Sequence, residues 1–297
     1  MQNEWINPFV DQDEKDTDNK LVESILKGNR DALDDLIRRH QHWIFNIAFR
    51  MVLNPQDAED VTQEILIKVI TKLSTFKGNS AFRTWLYRIV KNHVLNMKER
   101  ELEKVVISFE DYGKSLEDTP DLDLPDERSM PVELRVIVED AKIGCMMGML
   151  LCLDREQRLV YILGEVFEVT SELGAAILEI SPDNFRQRLS RSRKHLVSFM
   201  NEKCGLINKA NPCRCERKTS SFINLGYVDP HDLKFNAHYI HSIKEVSKER
   251  SREFCDTLER DYGQLFRDHP FQDSHNHLDR IKEILESKNF QTMLNLN

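Results

Sequence analysis

A stretch of aromatic and basic side chains between residues 75 and 92 has the composition of a nucleic-acid-binding surface. It reads TFKGNSAFRTWLYRIVKN, with a Gly-Asn-Ser turn near its start. Aromatic rings beside cations suit a surface that stacks unpaired bases and follows phosphates. The same composition also fits an amphipathic helix whose Phe82, Trp85 and Leu86 lie in a core while its arginines face solvent. Taken alone, the stretch leaves both interpretations open.

A second candidate segment lies between residues 170 and 200. Thr170 can cap a short helix, a break follows at 179–181, and Ser181-Pro182 joins a capping residue to a proline suited to the first helical position. Two helices joined by a tight turn predict a helix-turn-helix, whose second helix presents its N-terminal residues to base edges. We predict base contacts from Asn184, Arg186, Gln187 and Arg188, and phosphate contacts from Arg191, Arg193 and Lys194. A bundle helix with a charged surface is the alternative.

Helical periodicity and capping residues predict the elements that position the first segment. The chain reads as helix from Asp18, and Asp31 can cap a second helix. Asn54-Pro55 is a strong start signal for a third helix over about 55–73, and a fourth follows over about 80–100. The third helix leaves a polar face that is either simply solvated or a docking surface for a partner protein.

The charge is distributed in blocks. The net charge is −8, but residues 68–104 carry nine Lys and Arg against three acids, and residues 182–218 carry ten against three. Residues 101–130 carry ten acids against three bases. Each basic block could meet phosphate despite the acidic total. The acidic, proline-containing segment 104–131 shows little apolar periodicity, which predicts a linker between two domains.

Composition excludes several classes of protein. No apolar run approaches the roughly 20 residues that a membrane-spanning helix needs, and the acidic N-terminus lacks the apolar segment of a secretory signal. No glycine-rich phosphate loop and no H-E-x-x-H pair occurs. We therefore expect a cytoplasmic protein without a membrane partner, and not an enzyme.

Residues 19–200 resemble a bacterial RNA polymerase sigma factor of the sigma-70 family, extracytoplasmic-function type. The resemblance rests on three segments in order: DAEDVTQE at 57–64, FKGNSAFRTWLYRIVKN at 76–92, and RLSRSRKHL at 188–196. It departs from the family where Glu179 stands in a turn that often holds glycine, and where Phe185-Arg186-Gln187 replaces the commoner Val-Lys-Ser. The −35 sequence cannot be inferred from the departing residues.

The resemblance implies a role for each segment. The protein would bind core RNA polymerase through the β′ clamp and the β flap of the polymerase. It would bind promoter DNA at the −10 and −35 elements and promote DNA melting. An anti-sigma factor or other regulator would be a further partner. The clamp would meet Asp60, Gln63, Glu64 and Lys68. The −10 element would meet Phe76, Lys77, Asn79, Ser80, Phe82, Arg83, Trp85, Arg88, Lys91 and Asn92. The −35 element would meet Ser181, Asn184, Arg186, Gln187, Arg188, Arg191, Arg193 and Lys194.

The predicted fold class is all-α. Two helical domains are joined by an acidic linker, the second is a helix-turn-helix, and a mainly helical C-terminal extension follows. The boundaries we predict are a flexible acidic tail at 1–18, a −10 and clamp-binding domain at 19–103, the linker at 104–131, a −35-binding domain at 132–203, and the extension at 204–297. Within the extension, helices are expected over 238–268 and 277–294.

The extension also contains a candidate metal site. Cys213 and Cys215 are one residue apart and Cys204 precedes them by nine residues. Three thiolates could hold zinc with a fourth ligand from His231, His238, His241 or Cys255. A loop with free thiols is the alternative, and otherwise no cofactor is required.

Two other functions stay open on the sequence alone. One is a self-standing helix-turn-helix regulator of transcription, and the other is a metal- or thiol-responsive DNA-binding protein. The block at 55–92 discriminates a sigma factor from a self-standing regulator, because a simple repressor has no need of it.

Overall fold

The computed structural model describes residue 9, residues 15–78, 80–105, 108–129 and 134–235, and positions 277 and 281. Throughout these residues the regular structure is helical and no strand occurs, which confirms the all-α prediction. The chain divides into two compact units. The first comprises Met1–Lys98, Phe167–Phe185 and Phe271–Asn297, and the second comprises Glu99–Val166 and Arg186–Pro270.

Four helices form the body of the first unit. They are α1 (Lys15–Leu26), α2 (Arg30–Val52), α3 (Pro55–Lys72) and α4 (Phe82–Asn96). The side-chain oxygen of Asn54 accepts the backbone N–H of Asp57, and Pro55 opens α3, as the sequence predicts. The cap of α2 was predicted wrongly: Asn29, not Asp31, accepts the backbone N–H groups of Asp31 and Ala32.

The core of the first unit is built around α2. This helix packs against α1 and α3, while α4 packs against α3 and against α9 (Ser171–Leu178). Ile44, Ala48 and Met51 of α2 are completely buried. A helix that is buried over most of its circumference serves as the support on which its neighbours lie.

The packed structure begins closer to the N-terminus than the sequence predicts. Helix α1 begins at Lys15, inside the predicted flexible tail at 1–18, and Asp18 is completely buried. The ring of Phe9 stacks on Tyr87 with centroids 4.4 Å apart. The tail prediction is therefore wrong for Phe9 and for the residues from Lys15 onward.

Six α-helical segments lie in the second unit within the described residues. They are α5 (Glu101–Val105), α6 (Phe109–Asp118), α7 (Leu134–Leu151), α8 (Arg155–Tyr161), the part of α10 (Pro182–Lys203) from Arg186 onward, and α11 (Cys215–Asn224). Arg158 is buried and donates to the carbonyl oxygens of Leu150 and Leu151 at 2.9 and 3.2 Å. It thereby satisfies carbonyl groups at the end of α7 that have no partner inside the helix.

The predicted linker at 104–131 contains a packed helix, α6, which the sequence analysis missed. Ser108 caps it by accepting the backbone N–H of Asp111. Tyr112 donates to the carbonyl oxygen of Cys145 at 2.9 Å, and the ring of Phe109 lies against that of Phe199. Few apolar residues suffice for this helix because each of its aromatic side chains is placed against a neighbouring helix.

The start of the extension belongs to the second unit. Phe222 and Val228 form one apolar cluster with Ile137 and Ala141 of α7. Polar groups of α11 bind the segment that follows α6, since Ser220 and Ser221 donate to the carbonyl oxygens of Asp123 and Pro120. The helices predicted over 238–268 and 277–294 lie outside the described residues, except for positions 277 and 281.

The predicted helix-turn-helix is divided between the units. Helix α9 and the first residues of α10 belong to the first unit, and α10 from Arg186 belongs to the second. None of the helices in the described ranges is long and apolar enough to cross a membrane.

Candidate nucleic-acid interface

Three aromatic rings surround the loop that precedes α4. A short 3-10 turn over Leu73–Thr75 leads into Phe76, and Gly78 turns the chain with a φ of 70°, which glycine adopts without strain. The rings of Phe76, Phe82 and Trp85 lie 5.5 to 5.6 Å apart, centroid to centroid. Phe82 is buried while Phe76 and Trp85 are half-buried. The loop therefore presents the Phe76 and Trp85 rings on a buried aromatic support.

The predicted −10 residues fall into two groups by exposure. Phe82, Arg83 and Lys91 are buried, whereas Lys77, Ser80, Arg88 and Asn92 are exposed. Asn79 lies outside the described residues. The loop and one side of α4 consequently offer Lys77 and Arg88 as the cations that solvent reaches.

Arg83 is held by an acid from α1. Its Nε donates to Asp18 Oδ2 at 3.0 Å, and Arg39 Nε donates to Asp18 Oδ1 at 3.0 Å. The side chains of Asp18 and Arg83 are only 1% and 8% exposed. A buried ion pair of this kind fixes helix α4 against α1, so Arg83 positions the surface.

Lys91 also has an acidic partner within the first unit. Its ammonium group donates to Glu179 Oε2 at 2.7 Å, although the Lys91 side chain is only 9% exposed. Glu179 ends helix α9 in a left-handed backbone conformation, with φ of 60°. The sequence analysis singled out each of these residues but gave no reason to connect them.

The predicted polymerase-binding residues share one face of α3. Asp60 and Gln63 are half-buried, and Glu64 and Lys68 are exposed. Both exposed residues contact His93 of α4: Lys68 Nζ lies 2.7 Å from Nδ1 and Glu64 Oε2 lies 3.2 Å from Nε2. The Lys68 ammonium group can only donate, so Nδ1 of His93 accepts from it. The contacts tie this face of α3 to the helix that follows the aromatic loop.

The second candidate segment starts with the predicted cap. Ser181 Oγ accepts the backbone N–H of Asn184 at 3.2 Å, and Thr170 Oγ1 accepts that of Leu173 at 3.3 Å. Both caps confirm the predicted starts of α10 and α9. Gly174 packs directly under the Phe185 ring, because a Cβ at this position would collide with it.

Four of the predicted −35 residues project into solvent from α10. These are Arg186, Gln187, Arg191 and Lys194. Gln187, Arg191 and Lys194 are spaced at i, i+4 and i+7, so they share one face, while Arg186 lies on another side of the helix. Asn184 is half-buried and Ser181, the cap, is exposed. One solvent-facing row of α10 thus carries an amide and two cations.

Two further arginines of α10 are bound by acids of the same unit. Arg188 Nη1 donates to Glu156 Oε2 at 2.5 Å, and Arg193 Nε donates to Glu165 Oε1 at 3.0 Å. The Glu156 side chain is 62% exposed, whereas that of Glu165 is 5% exposed. The acid of the second pair is therefore buried in the unit, whereas the acid of the first pair lies at its surface.

The predicted zinc site at Cys204, Cys213 and Cys215 is not supported. Among the described residues no three Cys, His, Asp or Glu side chains are arranged to hold a metal ion. Burial is the main cause that raises the pKa of all three thiols, and the neighbouring thiol of Cys204 raises the pKa of Cys213 further. Zinc binds thiolates, which this burial disfavours. His238, His241 and Cys255 lie outside the described residues.

Sequence reasoning missed two acids that matter for this interface. Asp18 was assigned to a flexible tail, and no periodic pattern marks a buried acid. Glu179 was noticed only as a departure from glycine in the turn. A non-glycine residue at a position that favours glycine is the one signal that could have drawn attention to its side chain.

Two family models match this chain. Residues 36–102 match Sigma-70 region 2, and residues 143–196 match Sigma-70 region 4. The first match contains the aromatic loop and the α3 face, and the second contains the helix-turn-helix.

Relatives of known name cover the same part of the chain. The ECF RNA polymerase sigma-E factor of Escherichia coli is 31% identical over 186 residues, which are 60% of this chain and 91% of the relative. The RNA polymerase sigma-H factor of Pseudomonas aeruginosa is 28% identical over 185 residues, which are 61% of this chain and 92% of the relative. A solved structure of CnrH in complex with the cytosolic domain of CnrY aligns with a TM-score of 0.42 and 21% identity, covering 63% of this chain and 99% of that one. Neither the family models nor these two named relatives support a self-standing regulator or a metal-responsive protein.

Proposed function

Because the chain belongs to the sigma-70 family of RNA polymerase sigma factors, among those of the extracytoplasmic-function type, we propose that its two DNA-facing segments divide promoter recognition between them. The protein is a sigma factor of transcription initiation. In this proposal the loop before α4 and the exposed side of α4 bind the −10 element, and α10 binds the −35 element. The protein supplies binding energy and core RNA polymerase, in the cytoplasm, supplies the chemistry.

The aromatic loop is the element that we propose to capture an unpaired base during promoter melting. Extracting a base from a duplex costs a few kcal/mol, and stacking it on an aromatic side chain returns about 1–3 kcal/mol. Phe76 is half-buried beside the exposed Lys77, so one ring can stack a base while the cation meets an adjacent phosphate. This arrangement of Phe76 on the Phe82–Trp85 support is the observation that carries the proposal.

Helix α10 is the element that we propose to read the −35 element in the major groove. Gln187 can pair with an adenine edge, and Arg191 and Lys194 on the same face can meet phosphates. Arg186 is suited to guanine on geometric grounds but lies on a different side of the helix, so it would contact another part of the groove wall.

Two protein partners complete the proposal. The face of α3 with Asp60, Gln63, Glu64 and Lys68 would bind the β′ clamp of core polymerase, and the predicted second domain at 132–203 would bind the β flap. An anti-sigma factor or other regulator would cover one of these surfaces. The polar character of the α3 face suits a partner that binds reversibly, because a non-obligate interface is about as polar as the rest of a protein surface.

Run-off transcription with purified core polymerase tests the proposal. We expect transcripts from a cognate promoter only when the protein is added, and equal transcripts with and without it would contradict the proposal. Phe76→Leu keeps an apolar side chain but removes the stacking surface, so we expect open-complex formation to fall about 5- to 150-fold, as the loss of one base stack predicts. Closed-complex binding should change little.

Phe76→Tyr is the matched control for that variant. It preserves the aromatic face, so open-complex formation, followed by permanganate reactivity of unpaired thymines, should stay close to that of the unmodified protein. A Phe76→Leu variant that melts promoters normally would show that the loop does not capture a base.

A further inference from the structure

Glu179 occupies a backbone position that most residues avoid. It ends α9 with φ of 60° and ψ of 41°, and its N–H donates to the carbonyl oxygen of Ala175. Glycine is the usual residue at such a helix end because a Cβ is sterically disfavoured in the left-handed region. Strained non-glycine positions persist where the surrounding structure holds them, and they gather at functional sites. The side chain of Glu179 therefore calls for an explanation.

That side chain reaches Lys91 of α4, within the same compact unit. The ion pair measures 2.7 Å between Nζ and Oε2. The hydrogen bond from Lys91, followed by the charge of Lys91, lowers the pKa of Glu179, and the charge of Arg88 lowers it further. The carboxylate thus lies among the cations on the face of α4 to which the −10 contacts are assigned.

The carboxylate oxygen of Glu179 binds the Lys91 ammonium group where a phosphate oxygen would bind it in a complex with DNA. Both are anionic acceptors of short, charge-assisted hydrogen bonds. The acid comes from the turn of the helix-turn-helix, directly after α9. We infer that Glu179 competes with a phosphate of promoter DNA for Lys91, and that binding of the −10 strand displaces it.

This inference rests on the proposed function, since it takes Lys91 as a residue that binds the −10 DNA. It goes beyond that function by assigning a competing ligand to the lysine. Glu179 must bind Lys91 weakly enough for a phosphate to displace it, and the solvent exposure of the Glu179 side chain meets this condition. The Glu179 side chain is 58% exposed while that of Lys91 is 9% exposed, and pairs with one partner in solvent are screened and easily exchanged.

The first test measures binding of the full chain to DNA. A fluorescein-labelled, mixed-sequence single-stranded oligonucleotide is titrated at low salt, and anisotropy reports the affinity. Glu179→Gln removes the charge and keeps the length of the side chain. We expect it to raise affinity about two- to fivefold, the range that a solvent-screened ion pair can supply.

Lys91→Gln separates specific competition from general charge repulsion. In that background there is no ammonium to release, so adding Glu179→Gln should give no further gain. A gain of the same size in both backgrounds would overturn the inference, and so would an absence of any gain in the single variant. Glu172→Gln removes another exposed acid of α9 and should leave the affinity unchanged.

Two measurements guard against misfolding and against failure of the proposed function. Glu179→Gly removes the carboxylate and also relieves the left-handed conformation, so it should bind DNA at least as well as Glu179→Gln while melting no lower than the unmodified protein. NMR of the Lys91 ammonium group, without DNA, should show faster hydrogen exchange in Glu179→Gln. An unchanged exchange rate would overturn the inference whatever the result of run-off transcription.

Transcription separates the two proposals. If run-off transcription depends on the protein but Glu179 and Lys91 show no coupling in DNA binding, the competition is refuted and the sigma function stands. If the coupling appears without transcription, the competition for a phosphate is supported and the promoter role fails.

Discussion

The buried carboxylate of Asp18 provides the sharpest stability prediction. Asp18→Ala removes the acceptor shared by Arg83 and Arg39, whose Nε atoms each lie 3.0 Å from a carboxylate oxygen. Removing one partner of a buried ion pair costs about 3–5 kcal/mol because the other charge stays buried. Arg83 is buried with an 8% exposed side chain, but Arg39 is 27% exposed and can turn to water. We therefore expect a loss near the lower limit, about 3 kcal/mol.

Equilibrium unfolding in urea measures this loss. The fluorescence of Trp43 and Trp85 reports on the first unit, to which both residues belong. Asp18→Asn keeps one neutral acceptor oxygen but removes the charge, so it should cost less than Asp18→Ala and at least about 1.5 kcal/mol, the value of a hydrogen bond to a charged group. Glu23→Ala is the control, since it removes an exposed acid from the same helix and should change stability by less than about 0.5 kcal/mol.

A double-mutant cycle decides whether Asp18 acts through Arg83. Arg83→Met removes the buried charge and keeps the length of the side chain. If the two residues form one pair, Asp18→Ala should cost much less in the Arg83→Met background than alone. Additive losses, or a loss below about 1 kcal/mol for Asp18→Ala, would refute the reasoning that this ion pair fixes α4 on α1.

Three further changes test other parts of the molecule. Gly174→Ala forces a Cβ into the Phe185 ring, so we expect a loss of about 1–3 kcal/mol in thermal or urea unfolding and weaker −35 binding. Burial raises the pKa of Asp140 to about 6 even though the backbone N–H of Phe235 donates to it. The native state therefore holds this proton at pH values where the unfolded chain has lost it, and stability falls as pH rises from about 4 to about 6. Asp140→Asn should reduce this dependence of stability on pH and raise the melting temperature at pH 7.5. Burial also raises the pKa of Cys145 to about 12, so thiol reagents at pH 8 should modify it only after urea unfolds the protein.

Local signals in the sequence predicted the helices well. Asn54-Pro55, Thr170 and Ser181 all start helices where expected, because a capping side chain satisfies backbone N–H groups a few residues away. Helix α6 was missed because few of its residues are apolar. Its stability comes from Tyr112 and its neighbours meeting other helices, and the local pattern does not encode such contacts.

The sequence predicts which residues form the candidate interface, but it does not predict which acids pair with them. The sequence identified Arg83 and Lys91 as cations of one basic helix, and a lysine or an arginine in isolation is most often exposed. Both are buried here because acids distant in sequence, Asp18 and Glu179, reach them. A contact across 65 or 88 residues depends on how whole helices pack, so no local pattern could reveal it.

The basic residues that we predict to bind DNA fall into two classes, according to the solvent exposure of their acidic partners. Asp18 and Glu165 have side chains that are 1% and 5% exposed, so releasing Arg83 or Arg193 would leave a buried charge without its partner. Glu156 is mainly exposed, as Glu179 is, and water can take the place of the cation at little cost. Arg83 and Arg193 are therefore expected to keep their partners and to hold the surface in shape. Lys91 and Arg188 are the cations that can exchange a carboxylate for a phosphate, and their substitution should weaken DNA binding without unfolding either unit.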